Sequence, residues 1–221
     1  MSFLELLLDR ATFLIPVLLS LTVHEWAHAW TAWRLGDDTA KMLGRVSLNP
    51  LDHIDPVGTL LLPLLGVPFG WAKPVPINPL RFRAGIRMPL GLMLSAGAGP
   101  VSNLLLAVGC GVLAALIAVA GPTLGEILGD RILAAVFQLL QITVATNVVL
   151  ACFNLLPIPP LDGSRIVDAL VPPSLRPLWS RFSALGPVML LAIILLPSLL
   201  GLSLWSGLLQ RVFELMQLYT D

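Results

Sequence analysis

The sequence predicts an all-α polytopic membrane protein with about four transmembrane helices, a re-entrant segment with a small β-loop, and a C-terminal amphipathic helix. Three observations lead there. Of 221 residues, 57% are hydrophobic and 12% charged, and mean hydropathy is +0.89. A soluble domain is about 25% charged, so this chain has too little polar surface to coat a water-soluble globule. Three runs long enough to cross a bilayer carry no charge at all. Finally, 13 basic residues balance 13 acidic ones without forming a basic block. That leaves no electrostatic footprint for nucleic acid, and the lipid bilayer is the expected surrounding.

The elements follow in chain order. Ala11 to Trp33 reads as a membrane helix interrupted only by His24, Glu25 and His28. It is not expected to be a cleavable leader, because Glu5 and Asp9 stand where a basic segment belongs and no small-residue cleavage site follows. Pro56 to Ala72 is apolar but short, and Pro63, Pro68 and several glycines break it. Irregular backbone at membrane depth is tolerated where other protein covers it, so this run is expected to enter and leave on one side. Met88 to Gly125, Ile132 to Leu161 and Phe182 to Gln210 are free of charge, and each can hold the roughly 20 apolar residues of a span. Leu204 to Tyr219 places Leu208, Val212, Leu215 and Tyr219 at helical spacing with polar residues between, the pattern of an amphipathic helix at the outer interface.

Basic residues check this layout. With four spans and a re-entrant segment, Arg34, Lys41, Arg45, Lys73, Arg81, Arg83, Arg87, Arg165, Arg176 and Arg181 fall inside, and Arg10, Arg131 and Arg211 outside. That asymmetry is the positive-inside bias, with both termini outside. No repeat or composition shift marks a second domain. The chain is read as one integral-membrane domain, 1–221, with a core at about 11–168 and an accessory span and helix at 182–221. Cys110 and Cys152 lie in apolar stretches and read as packing residues.

The chemistry is concentrated in the first helix. His24, Glu25 and His28 form H-E-x-x-H, which puts both imidazoles on one helix face within reach of one metal ion and the glutamate beside the open coordination position. An ionisable cluster inside a span is costly and points to function. Two histidines do not complete a catalytic zinc site, which usually takes three protein ligands. Asp162 is the expected third, at the cytoplasmic end of the third span, where the first helix presents its histidines. Asp37, Asp38, Asp52 and Asp55 read as solvated loop acids, and Asp168 lies further from the membrane.

Around Asp162, the segment Asn154-Leu-Leu-Pro157-Ile-Pro159-Pro160-Leu-Asp162-Gly163 stops the helix and reads as an extended stretch. Asn154 either bonds between helices or acts at the site. His53, between Asp52 and Asp55, is a supporting group or alternative ligand, or else a solvated loop histidine.

Through these two motifs the sequence resembles the site-2 protease family of intramembrane zinc metalloproteases, from about Leu18 to Asp168. Gly70-Trp71-Ala72-Lys73-Pro74-Val75-Pro76 is similar to the loop after that family's first core helix. Ser95-Ala96-Gly97-Ala98-Gly99-Pro100-Val101-Ser102-Asn103 is similar to the start of its second. The resemblance implies one zinc per chain held by His24, His28 and Asp162, with Glu25 as catalytic acid/base and Asn154 positioning substrate. It implies a three-helix core with the metal below the cytoplasmic surface of a prokaryotic cell membrane, and as partner a membrane-protein substrate with a transmembrane helix. The PDZ and CBS modules of larger relatives are not seen in these residues.

Two rival classes use the same residues. A metal transporter would bind a passing ion at His24 and His28 but gives Glu25 no task, and the chain shows no paired broken helices in two similar halves. An inactive relative would bind membrane helices without cutting them, which the intact Glu25 argues against.

Overall fold

The computed structural model describes residues 3–61 and 70–199. Its described residues form helices joined by turns and irregular segments, with no strand. The helices are α1 (Phe3–Arg34), α2 (Thr39–Met42), α3 (Met88–Leu128), α4 (Asp130–Asn154), α5 (Asp162–Leu170), α6 (Arg176–Ala184) and α7 (Gly186–Leu199). The core is α1 packed against α3 and α4, with α5 laid on α3.

Among the described residues, two helices are long and apolar enough to cross a membrane, within Met88–Gly121 and Asp130–Asn154. Gly129 joins α3 to α4. Its φ of +83° is a left-handed turn that glycine adopts without strain, and its N–H caps α3 on Gly125 O. Packing is inside-out relative to a soluble bundle. Ala29, Ala32, Ala96, Ala107, Ala145 and Ala151 are buried, whereas Leu105, Val108, Leu116 and Val119 are exposed. Small residues let helix backbones approach, and in lipid the large side chains need no protein cover.

Several expectations change. No strand occurs among the described residues, so the small β-loop is not formed there; residues 70–78 run without regular structure. Two of their N–H groups go to Gly58 O and His53 O, and that of Val75 to a side chain. The uncharged run from Phe182 is not one helix from its start, because α6 stops at Ala184 and α7 begins at Gly186. The rest of that run beyond 199, and the amphipathic helix expected at Leu204 to Tyr219, lie outside the described residues. The helix expected as the third span ends at Asn154, and Asp162 opens the next helix instead of closing it.

Part of Pro56 to Ala72, residues 62–69, is also outside the described residues. Its two ends are joined. Trp71 N–H donates to Gly58 O at 3.3 Å, and Thr59 Oγ1 donates to Trp71 O at 2.7 Å. Gly58 is required for this approach, since a Cβ there would strike the Trp71 ring. Asp55 caps the turn at Pro56–Leu61 through the N–H groups of Val57 and Gly58.

Candidate metal centre

His24 and His28 lie one helical turn apart in α1, and both are buried. Each ring is fixed through Nδ1. His28 Nδ1 donates to the Ser95 carbonyl at 2.7 Å. His24 Nδ1 donates to Asn103 Oδ1 at 2.5 Å; Asn103 presents its oxygen there because its Nδ2 donates to Asn147 Oδ1 and Ser20 O. With Nδ1 protonated on both rings, both Nε2 atoms carry lone pairs.

Those lone pairs face one another and a carboxylate. The two Nε2 atoms are 3.0 Å apart. Asp162 Oδ2 lies 3.1 Å from the first and 3.3 Å from the second, buried and, among the described residues, without a hydrogen-bond donor. Three acceptors this close repel unless a cation lies among them. Donors about 2.0 to 2.1 Å from a shared tetrahedral ion would stand roughly 3.3 Å apart, so the set fits zinc in spacing as well as in ligand type.

The surroundings make room for that cluster. A Cβ on Gly99 of α3 would fall 2.5 Å from His28 Nε2 and 2.6 Å from His24 Cε1, so only glycine lets α3 lie across the imidazoles. Asp162 is set by a tight turn. Leu161 N–H donates to Ile158 O at 2.9 Å, and Ser164 Oγ closes back on Leu161 O at 2.7 Å. Gly163 is needed here too, because a Cβ would collide with the Leu155 and Leu156 carbonyls.

Glu25 is half-buried, with its carboxylate within 4.8 Å of the ligating atoms of His24 and His28. Its Oε2 accepts the Val75 N–H at 3.0 Å. Asn154 is placed differently from the other candidates, in the last turn of α4, where its Nδ2 donates to Leu150 O at 3.0 Å.

Two loop residues correct the sequence reading. Asp37 is fully buried: Oδ1 accepts the N–H and hydroxyl of Thr39, and Oδ2 accepts Asn78 N–H at 2.6 Å. A carboxylate that satisfies loop N–H groups is worth burying, and a solvated reading overlooks them. His53 is 2% exposed; its Nε2 donates to Ser47 O, and its Nδ1 accepts from Arg45. Both nitrogens are therefore engaged away from the metal cluster.

Sequence reading missed Asn103 and Asn147. Asn147 Nδ2 donates to Ser20 Oγ and Thr143 O, each at 2.8 Å, and so continues the chain from His24 through Asn103 across all three core helices. An uncompensated amide is unfavourable inside an apolar span, and that cost was the available signal.

Comparisons with known proteins bear on this geometry. Residues 116–197, which include Asn154 and Asp162, match the model of peptidase family M50. Over 188 residues, 83% of this chain and 80% of the relative, the chain is 42% identical to the Bacillus subtilis protein named "Putative zinc metalloprotease YwhC". The chain belongs to peptidase family M50. This is the site-2 protease family that the two motifs resemble. Among further relatives named "Putative zinc metalloprotease Rip2", identity is 32% over 190 residues for Mycobacterium tuberculosis and 29% over 182 for Mycolicibacterium smegmatis. The chain spans 66% of each of those relatives and is itself covered to 83% and 82%. No solved structure matches the chain.

Proposed function

We propose that the protein is an intramembrane zinc metalloprotease that hydrolyses peptide bonds in or near transmembrane segments of membrane-protein substrates. The observation that carries this reading is the convergence of His24 Nε2, His28 Nε2 and Asp162 Oδ2 within 3.3 Å of one another, next to Glu25. Family membership and the relatives' names support it.

His24, His28 and Asp162 would hold one zinc ion, which when bound supplies a Lewis acid for the scissile carbonyl and a water with a pKa lowered toward about 7. Glu25 moves the protons. Its Oε2 is held by Val75 N–H, which leaves Oε1 to take a proton from the attacking water and return it to the leaving amine. Asn154 has two amide N–H groups and spends one on Leu150 O; the second is the donor we assign to the substrate carbonyl. The exposed apolar faces of α3 and α4 match a lipid surrounding. The bias of basic residues expected for four spans supports a site toward the cytoplasm, and we assign the chain to a prokaryotic cell membrane.

The test is cleavage of a helical transmembrane test substrate by the detergent-purified, zinc-loaded chain and its Glu25→Gln variant. Cleavage by the parent and its loss in the variant, with zinc kept, is the expected result. A zinc-loaded parent that leaves the substrate intact, or a variant as active as the parent, would overturn the reading and return the transporter or inactive-relative alternatives.

A further inference from the structure

Arg45 is 5% exposed and, among the described residues, has no carboxylate within ion-pair distance. A buried guanidinium is costly unless its N–H groups are used. Here the terminal nitrogens use theirs on two main-chain carbonyls and a histidine ring, while Nε is buried without a partner among the described residues. Nη1 donates to Pro74 O at 3.3 Å, and Nη2 donates to Lys73 O and to His53 Nδ1. Burial holds the Arg45 pKa below its usual value, and the charges of Glu25 and Asp52 offset part of that.

The segment Arg45 grips is anchored at its ends by Trp71 and Asn78 and by the buried Val75 side chain against Ala29 and Ala40, but its middle offers few N–H groups. Pro74 and Pro76 have no N–H, and the Lys73 N–H goes to His53 O at 2.9 Å. The one N–H between the two prolines is that of Val75, and it donates to Glu25 Oε2. Pro74 C=O and Val75 N–H belong to the same planar peptide group, in which carbonyl and N–H point in opposite directions. Arg45 and Glu25 therefore hold opposite ends of one peptide. Fixing the carbonyl fixes where the N–H points, and a cation on the oxygen makes the N–H a stronger donor.

We infer that Arg45 is a positioning residue for the reaction: it orients the Pro74–Val75 peptide so that Val75 N–H holds Glu25 beside the imidazoles. His53 supports it by accepting from Nη2 and by pinning Lys73. This deepens the proposed protease function and rests on that reading for its activity arm. The role is separate from metal holding, since Arg45 touches none of His24, His28 and Asp162.

The experiment compares Arg45→Met, Arg45→Lys and Val75→Pro with the parent, each as the full chain in detergent. It measures zinc per chain, amide hydrogen exchange across residues 71–78, and kcat and KM on a transmembrane test substrate. Arg45→Met is expected to speed exchange in 71–78 and lower kcat about tenfold or more, with KM within about twofold and zinc unchanged, as loss of an interaction with a charged group implies. Arg45→Lys, which can still reach one carbonyl, falls between. Val75→Pro removes the N–H, together with the buried valine side chain, and is expected to lower kcat with zinc retained; if Arg45→Met does not fold, Arg45→Lys reports on Arg45 and Val75→Pro on the N–H it orients. Unchanged exchange or unchanged kcat in Arg45→Met, parental kcat in Val75→Pro, or loss of zinc from a folded variant would overturn the inference. A zinc-loaded parent without cleavage would instead overturn the protease reading, and exchange at 71–78 would still report on Arg45.

Discussion

Asn103 Oδ1 sits 2.5 Å from His24 Nδ1, and the same amide donates to Asn147 Oδ1 at 2.6 Å. A group far along α4 thus sets which nitrogen of a metal-facing imidazole carries the proton. The hydrogen-bond partner of a ligating histidine orients the ring and raises its basicity, and losing such a partner typically costs about 10- to 100-fold in metal affinity. Asn103→Ala is expected to weaken zinc binding by about that factor while the chain stays folded. Competition with a zinc chelator of known affinity measures it, and unchanged affinity would contradict the role.

Asn147 lies one bond further out, so its effect should appear in stability first. Asn147→Leu removes bonds to Ser20, Thr143 and Asn103. Polar contacts between membrane helices average below about 1 kcal/mol, with a maximum of about 1.7. A loss of about 1 kcal/mol is expected, read as an earlier unfolding midpoint in a denaturing detergent titration. A variant as stable as the parent would show that the network contributes nothing to packing.

Gly99→Ala tests the cradle over the imidazoles. Its Cβ would stand 2.5 Å from His28 Nε2, so either α3 moves away or the ring does. Zinc content is expected to fall below half of the parent's at equal zinc, an estimate of roughly a tenfold loss of affinity from a displaced ligand. Full zinc occupancy in that variant would show that the helix has room to spare.

Removing the metal should destabilise the core, because two lone pairs and a carboxylate are then left facing one another. With free zinc at about 100 times its Kd, binding to the folded state contributes about 2.7 kcal/mol. Chelation is expected to lower the thermal midpoint and zinc to restore it. Identical midpoints with and without zinc would contradict a folded-state site.

What the sequence made legible was whatever depends on one element or one composition. His24, Glu25 and His28 share a helix face by spacing alone, and Asp162 was reachable by elimination among few acids. What it hid depends on approach between elements. Asn103 and Asn147 sit in uncharged helices and become meaningful only when α1, α3 and α4 bring them to His24 and Ser20. Asp37 looks like any loop acid until Asn78, far along the chain, returns its N–H to it. His53 looks exposed until Arg45 and Ser47 take both its nitrogens. The break at Leu185 within an apolar run was hidden for a related reason: hydropathy reports where lipid is tolerated, not where a helix turns.

The most direct test of the central claim is zinc per chain, measured by elemental analysis after dialysis against limiting free zinc, for the parent, Glu25→Gln and Asp162→Ala. One zinc in the parent and in Glu25→Gln, with Asp162→Ala substantially depleted, is the predicted result for a site made by His24, His28 and Asp162. Equal zinc in all three would contradict it, because the buried Asp162 oxygen beside both imidazoles would then not be a ligand.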